Sequence, residues 1–178
     1  GGKSLHKDFR PPSSGGTTGE YYKKMLAEVA ATLANLEADF PSLKGMSHEL
    51  AGFGWHQGWN DGLTMNSVKE YEENLANLIV DLRKEWKKPD LPVVIAVSGF
   101  GGRNQKIDRR LGIIEAQHAV AKRQEFKGTV ASVETRDFWR PREESPSGQG
   151  YHWFGNAETF YLIGEGMGES MVKLLKKR

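Results

Sequence analysis

The run Val93-Val94-Ile95-Ala96-Val97 constrains the fold of this chain more than any other stretch. Consecutive apolar, mostly β-branched residues leave no polar face for water, so the run predicts a strand buried on both sides, as in a parallel sheet flanked by helices. Its neighbours agree. Ahead of it, Tyr71, Leu75, Leu78, Ile79 and Leu82 recur at spacings of three and four and predict a long amphipathic helix from Ser67 to about Trp86. Ser67 is the expected N-cap, with Glu70 closing a capping box, and Pro89 and Pro92 bracket the break before the strand. Behind the run, Ile107 to about Phe126 predicts another helix, with Leu111, Ile114 and His118 near one face. Thr129-Val130-Ala131-Ser132-Val133 follows as a further strand. His118 reads as a packed or surface histidine, because no second ligand stands near it at a metal-site spacing.

The remaining segments fit the same alternation. Residues 1–19 hold seven glycines or prolines and predict a loop. From Glu20 to about Ala38, Tyr21, Met25, Leu26, Val29, Leu33 and Leu36 form one helical face, expected to be core. A short strand is expected over His48 to Trp55. Residues 134–150 read as a long polar loop broken by Pro141, Pro146 and Gly148, a common setting for substrate contacts. Asn156 to about Lys176 predicts a last helix with Phe160, Ile163, Met167, Met171, Leu174 and Leu175 turned inward. Strands alternating with long helices point to an α/β fold, a doubly wound parallel sheet, of which three strands are visible.

Length and charge narrow the function classes. With 178 residues the chain fits one globular domain able to bury a sizeable core. Its 25 basic and 23 acidic residues, a formal net charge of +2, are too balanced to predict nucleic-acid or anionic-membrane binding. The basic end Lys173 to Arg178 is ordinary for the last turn of a helix. Without cysteine there is no disulfide, thiolate metal site or cysteine nucleophile. No apolar run approaches the roughly 20 residues that span a bilayer.

Chemistry concentrates in Gly54-Trp55-His56-Gln57-Gly58-Trp59-Asn60-Asp61-Gly62. A strand that ends in glycines, amides and a carboxylate presents polar groups at the carboxyl edge of a parallel sheet, where open α/β folds place their sites. Neutral Asn and Gln side chains suit an oxyanion that develops only in a transition state. The plainer reading is a turn in which Asn60 or Asp61 caps the next helix. Ser98-Gly99-Phe100-Gly101-Gly102-Arg103-Asn104 lacks the glycine spacings of nucleotide-binding loops, and its glycines are expected to let the backbone pass close to the floor of the site.

Gly58-Trp59-Asn60-Asp61 resembles the Gly-x-Asn-Asp block of the SGNH hydrolases, and Trp55-His56-Gln57-Gly58 resembles the Trp-x-Gln-Gly of their sialate O-acetylesterase-like carbohydrate esterase branch. Gly1-Gly2-Lys3-Ser4-Leu5 is similar to the block whose glycine N–H contributes to the oxyanion hole. The stretch Gly150 to Thr159 is similar to the block that carries the catalytic histidine before the final helix. The resemblance implies a flavodoxin-like three-layer sheet, with His152 catalytic and with oxyanion donors from Gly2 and from Asn60 or Gln57, a choice left open. Asp61, Lys3 and Ser4 are expected to line the site, and Lys3, His6, Asp8 and Arg10 could share a polar cleft.

Two departures matter. The block that carries the family's nucleophilic serine belongs before the Gly-Gly segment, so the expectation is a single domain over 1–178 that lacks this block and its first strands. Ser4 is the nearest substitute by position. Asp-x-x-His is replaced by Gln149-x-x-His152, leaving Glu143, Glu144, a backbone carbonyl or a bare dyad to orient the imidazole. The implied activity is removal of acetyl groups from sugars, inactive without the upstream serine, with no cofactor or metal. The implied partner is an acetylated carbohydrate, with no nucleic acid or membrane, and a sheet edge left exposed would invite self-association. A secreted or periplasmic bacterial parent protein is one expectation, with the compartment otherwise open. The rival reading is a non-catalytic carbohydrate-binding or interaction module on the same scaffold.

Overall fold

The computed structural model describes residues 1–176; Lys177 and Arg178, the end of the basic stretch, lie outside the described residues. Strands β1 (Phe53–Trp55), β2 (Val93–Ala96) and β3 (Val130–Val133) form a parallel sheet in the order β1-β2-β3. The helices are α1 (Glu20–Ala34), α2 (Leu36–Asp39), α3 (Met65–Glu85), α4 (Asp108–Lys122) and α5 (Ala157–Leu175). Val94 pairs with Gly54 on one side and Ala131 on the other, so the unbroken apolar run is the central strand, and all four of its residues are buried.

The pleat divides that strand between two packing partners. Val93 and Ile95 share a core with Leu75, Leu78 and Ile79 of α3 and Ile113 and Val120 of α4. Val94 and Ala96 belong to clusters on the opposite face, where α5 contributes Leu174 and Ile163. Each fully buried leucine or isoleucine contributes roughly 1.5–3 kcal/mol from area removed from water, which is what holds α3 to the sheet. Among the described residues no helix is long and apolar enough to cross a membrane.

Several boundaries differ from expectation, each for a local reason. Thr64, not Ser67, is the N-cap of α3: it has the extended backbone a cap needs, and its Oγ1 accepts the Ser67 N–H at 3.3 Å. Glu70 closes no capping box and instead receives Arg10 Nη1 at 2.8 Å and lies 3.1 Å from His6 Nδ1. The first strand keeps only Phe53–Trp55 of the span from His48, and the first helix breaks at Asn35. The stripe Tyr21, Met25, Val29 and Leu33 on α1 is only half-buried, while Tyr22, beside it, is buried with Leu5. No strand pairs with the outer edge of β1 among the described residues, so α1 overhangs the sheet across a cavity. Phe160 is exposed rather than inward. His118 is satisfied at the surface, 2.9 Å from Ser132 Oγ and 3.5 Å from Glu134.

A polar knot joins the three parts of the sheet's carboxyl end. Gln117 of α4, fully buried, accepts the Ser98 N–H at 2.7 Å and donates to Gln57 O at 2.7 Å and to Tyr71 Oη at 3.1 Å. Tyr71 Oη also receives Trp55 Nε1 at 3.2 Å. Leucine in place of Gln117 keeps the volume and strands the Ser98 N–H, worth about 1–3 kcal/mol when left unpaired, while the Gln57 carbonyl keeps Ser98 Oγ and Tyr71 Oη as donors. Gln117→Leu is therefore expected to lower unfolding stability by about 1–3 kcal/mol in a urea titration. A loss under about 0.5 kcal/mol, the range of a neutral surface change, would show that the knot carries no weight.

Candidate functional site

The turns that follow β1 and β2 meet the amino-terminal loop and the segment before α5 around one cavity of about 920 Å³. Gly2, Lys3, Gln57, Asn60 and His152 all line it. Ser4 and Asp61 are not among its lining residues. The constellation expected from separate sequence blocks thus faces a single space, with two of its members set behind the wall.

Asp61 is fully buried, and its work is to hold the amino-terminal loop. Its carboxylate accepts the backbone N–H groups of Leu5 and His6, each at 2.8 Å, and Gln57 Nε2 at 2.6 Å. Burial pushes the Asp61 carboxyl above its ordinary value, and the three donors offset only part of that rise. Gln57 spends its second amide hydrogen on Lys3 O at 2.9 Å, and its Oε1 accepts from Tyr71 Oη at 3.1 Å. Both Gln57 N–H groups are therefore committed to structure. Asn60 caps no helix with its side chain, and neither its amide nor the Gly2 N–H has a hydrogen-bond partner among the described residues. Gly58 is required by close approach: a Cβ there would lie 1.9 Å from Ser98 Oγ, which donates to Gln57 O at 3.1 Å.

The rest of the amino-terminal loop ties itself down. Ser4 N–H and Oγ both bond to Asp8 Oδ2, at 2.8 and 3.1 Å. Arg10 reaches Glu70, His6 O, Ser14 O and Gly15 O. His6, Asp8 and Arg10 are loop scaffold rather than cleft wall, because their polar atoms turn toward one another and α3. Lys3 alone of that group reaches the cavity.

His152 sits on a strained turn. Trp153 and Phe154 adopt φ of 52° and 55°, left-handed values that cost roughly 1–3 kcal/mol each for such residues. The turn is held by burial of Trp153 against Phe100, 4.4 Å between ring centroids, and by the Phe154 N–H donating to Gln149 O at 3.0 Å. The same Gln149 places its Oε1 3.2 Å from His152 Nδ1, where it can accept that nitrogen's hydrogen. A Cβ on Gly1 would lie 3.9 Å from His152 Nε2. Glu143 and Glu144, expected as alternative orienting groups, make no hydrogen bond to His152 among the described residues. The Glu144 carbonyl instead receives Asn156 Nδ2 at 3.1 Å, and Asn156 caps α5 through the Thr159 N–H.

His56 is the lining residue that sequence reasoning left without a role. It follows β1 directly and its ring lies 5.8 Å from that of Trp153, and no spacing in the sequence signalled it. Desolvation by the surrounding walls holds its imidazole below the ordinary histidine value. Among the described residues no cluster of His, Asp and Glu could hold a metal ion.

A family model described as carbohydrate esterase, sialic acid-specific acetylesterase, matches residues 1–140. The chain belongs to this family. No curated protein and no solved structure matches it. Gly2, Gln57 and Asn60 fall inside the matched region of this carbohydrate acetylesterase family, and His152 falls beyond its end.

The hydrogen bonding separates the two amides of the esterase stretch by stability alone. Gln57→Leu removes a donor from buried Asp61 and is expected to cost about 2–4 kcal/mol in urea unfolding, while Asn60→Ala should stay within about 0.5 kcal/mol of wild type. Equal losses in the two variants would show that Asn60 is as structurally engaged as Gln57.

Proposed function

We propose that this chain is the greater part of a carbohydrate O-acetylesterase in which His152 is the base and acid, and the Gly2 N–H and Asn60 amide receive the oxyanion. The observation that carries the reading is that His152, with Nε2 beside Gly1, lines the same cavity as two N–H donors without a partner among the described residues. The nucleophilic serine arrives, on this reading, at the end of a strand N-terminal to Gly1 that pairs with the outer edge of β1. Support comes from two features of one cavity: its walls include Phe53 and Gly54 of that edge, and Tyr21 and Met25 of the uncovered α1 stripe. Such a strand would cover both and extend the sheet toward the doubly wound, three-layer form.

The chemistry follows from these positions. Serine Oγ attacks the acetyl carbonyl while its proton passes to His152 Nε2. The carbonyl oxygen becomes an oxyanion held by Gly2 and Asn60, each donor contributing about 3–4 kcal/mol in comparable sites. The bond to the sugar oxygen breaks as that oxygen takes the proton back from His152. Water then attacks the acetyl-serine, gives its proton to His152, and acetate leaves as serine recovers it. Gln149 Oε1, 3.2 Å from Nδ1, would favour the tautomer this sequence needs, although it brings no negative charge to the imidazolium. Ser4 is unsuited as a substitute, since its hydroxyl is bonded to Asp8 behind the cavity wall.

The aromatic walls of the cavity also favour a second reading, a carbohydrate-binding module without chemistry. Turnover of p-nitrophenyl acetate separates the two. Residues 1–178 alone should release p-nitrophenol no faster than a protein without the site. A longer natural chain carrying the preceding segment should turn over, and lose about a ten-thousandfold or more with His152→Ala. Turnover by residues 1–178 that depends on Ser4 would contradict the assignment of the nucleophile, and no turnover by the longer chain would contradict the esterase.

A further inference from the structure

The mouth of the cavity carries two large aromatic side chains that the core does not use. Tyr151 is 46% exposed and Phe160 is 45% exposed, and both line the same space as His152. A single exposed aromatic is unremarkable on a protein surface, but these two line one cavity together with Gln57, Asn60 and His152. By contrast Tyr161, more exposed still, bonds to Glu165 along its own helix and is not part of the cavity.

Tyr151 is also held in place. Its ring meets Trp59 edge-on at 5.8 Å and His152 at 4.6 Å. Trp59 is fixed in turn from three sides: Arg110 stacks over its ring at 4.1 Å, Phe100 meets it edge-on at 4.8 Å, and its Cη2 would lie 3.8 Å from a Cβ on Gly150. Arg110 makes no ion pair among the described residues, so this stack on Trp59 is its main partner there. The result is an aromatic ring in contact with two others yet still half-exposed, one residue from the histidine.

We infer that Tyr151, buttressed by Trp59 and sharing its cavity with Phe160, is the platform that seats the sugar ring whose acetyl group reaches His152. The inference rests on the esterase reading for the position of the acetyl group and adds the binding site for the alcohol half of the ester. The chemistry fits a pyranose: one face of such a ring is a patch of C–H bonds, weakly positive, which complements the negative face of an aromatic ring. Its hydroxyls point outward to water at the mouth, so the platform recognises a ring shape rather than a charge. An acyclic acetyl ester offers no such face, and the platform therefore favours cyclic sugars over simple alkyl acetates.

The test is binding to residues 1–178 of a methyl pyranoside carrying an acetamido group in place of the acetyl ester, followed by tryptophan fluorescence, with acetamide as the small probe. Wild type should bind the glycoside saturably and more tightly than acetamide. Tyr151→Ala should weaken the glycoside about tenfold, and Tyr151→Phe, which keeps the aromatic face, should restore it. Glycoside affinity unchanged in Tyr151→Ala, no saturable binding by wild type, or a Tyr151→Phe variant as weak as alanine would overturn the inference. Because this readout needs no turnover, Tyr151-dependent binding without p-nitrophenyl acetate hydrolysis in the longer chain would sink the esterase reading and leave the platform standing.

Discussion

The carboxylate of Asp61 is the point on which the site depends. Two consecutive backbone N–H groups, those of Leu5 and His6, end on it, and so does the Gln57 amide. A glycine-rich loop has little of its own to fix it, since each ordered residue costs roughly 1–2 kcal/mol of backbone entropy. Three hydrogen bonds to one buried charge-bearing group supply what the loop lacks, and charge-assisted bonds are about twice as strong as neutral ones. Gly2 is thereby placed against the end of β1 without a strand or helix to carry it. The buried acid is a device for position.

The same logic explains why one part of the molecule was legible in the sequence and another was not. Val93-Val94-Ile95-Ala96-Val97 reads as a central strand because burial on both faces writes itself into every residue. Tyr71, Leu75, Leu78 and Ile79 read as a core helix for the same reason. The stripe on α1 has the same periodicity, yet it is half-buried, because periodicity reports a face seeking cover and cannot report whether the cover is present. Thr64 and Ser67 are equivalent as cap signals in a string of letters, and only backbone geometry separates them.

In the site, the ordered blocks identified Gly2, Gln57, Asn60 and His152 as residues that share a space, but spacing could not distinguish an amide that faces the cavity from one consumed in holding it. Gln57 and Asn60 differ in that respect alone. Gln149 cannot carry the charge of the usual triad acid, yet its side-chain oxygen lies 3.2 Å from His152 Nδ1. Orientation and charge are separable services. The strained Trp153-Phe154 turn has no signature in composition at all, since left-handed backbone at bulky residues is imposed by packing of Trp153 beneath Phe100.

Three features meet at one edge: among the described residues β1 pairs with one strand, the α1 stripe is half-buried, and His152 Nε2 lies close to Gly1. The account makes all three parts of one interface for a serine-bearing strand. Labelling the longer natural protein with a fluorophosphonate and mapping the modified peptide tests this most directly. The label should fall on a serine N-terminal to Gly1 and disappear in His152→Ala. A label on Ser4 or Ser98, or one on the upstream serine that persists without His152, would contradict the account.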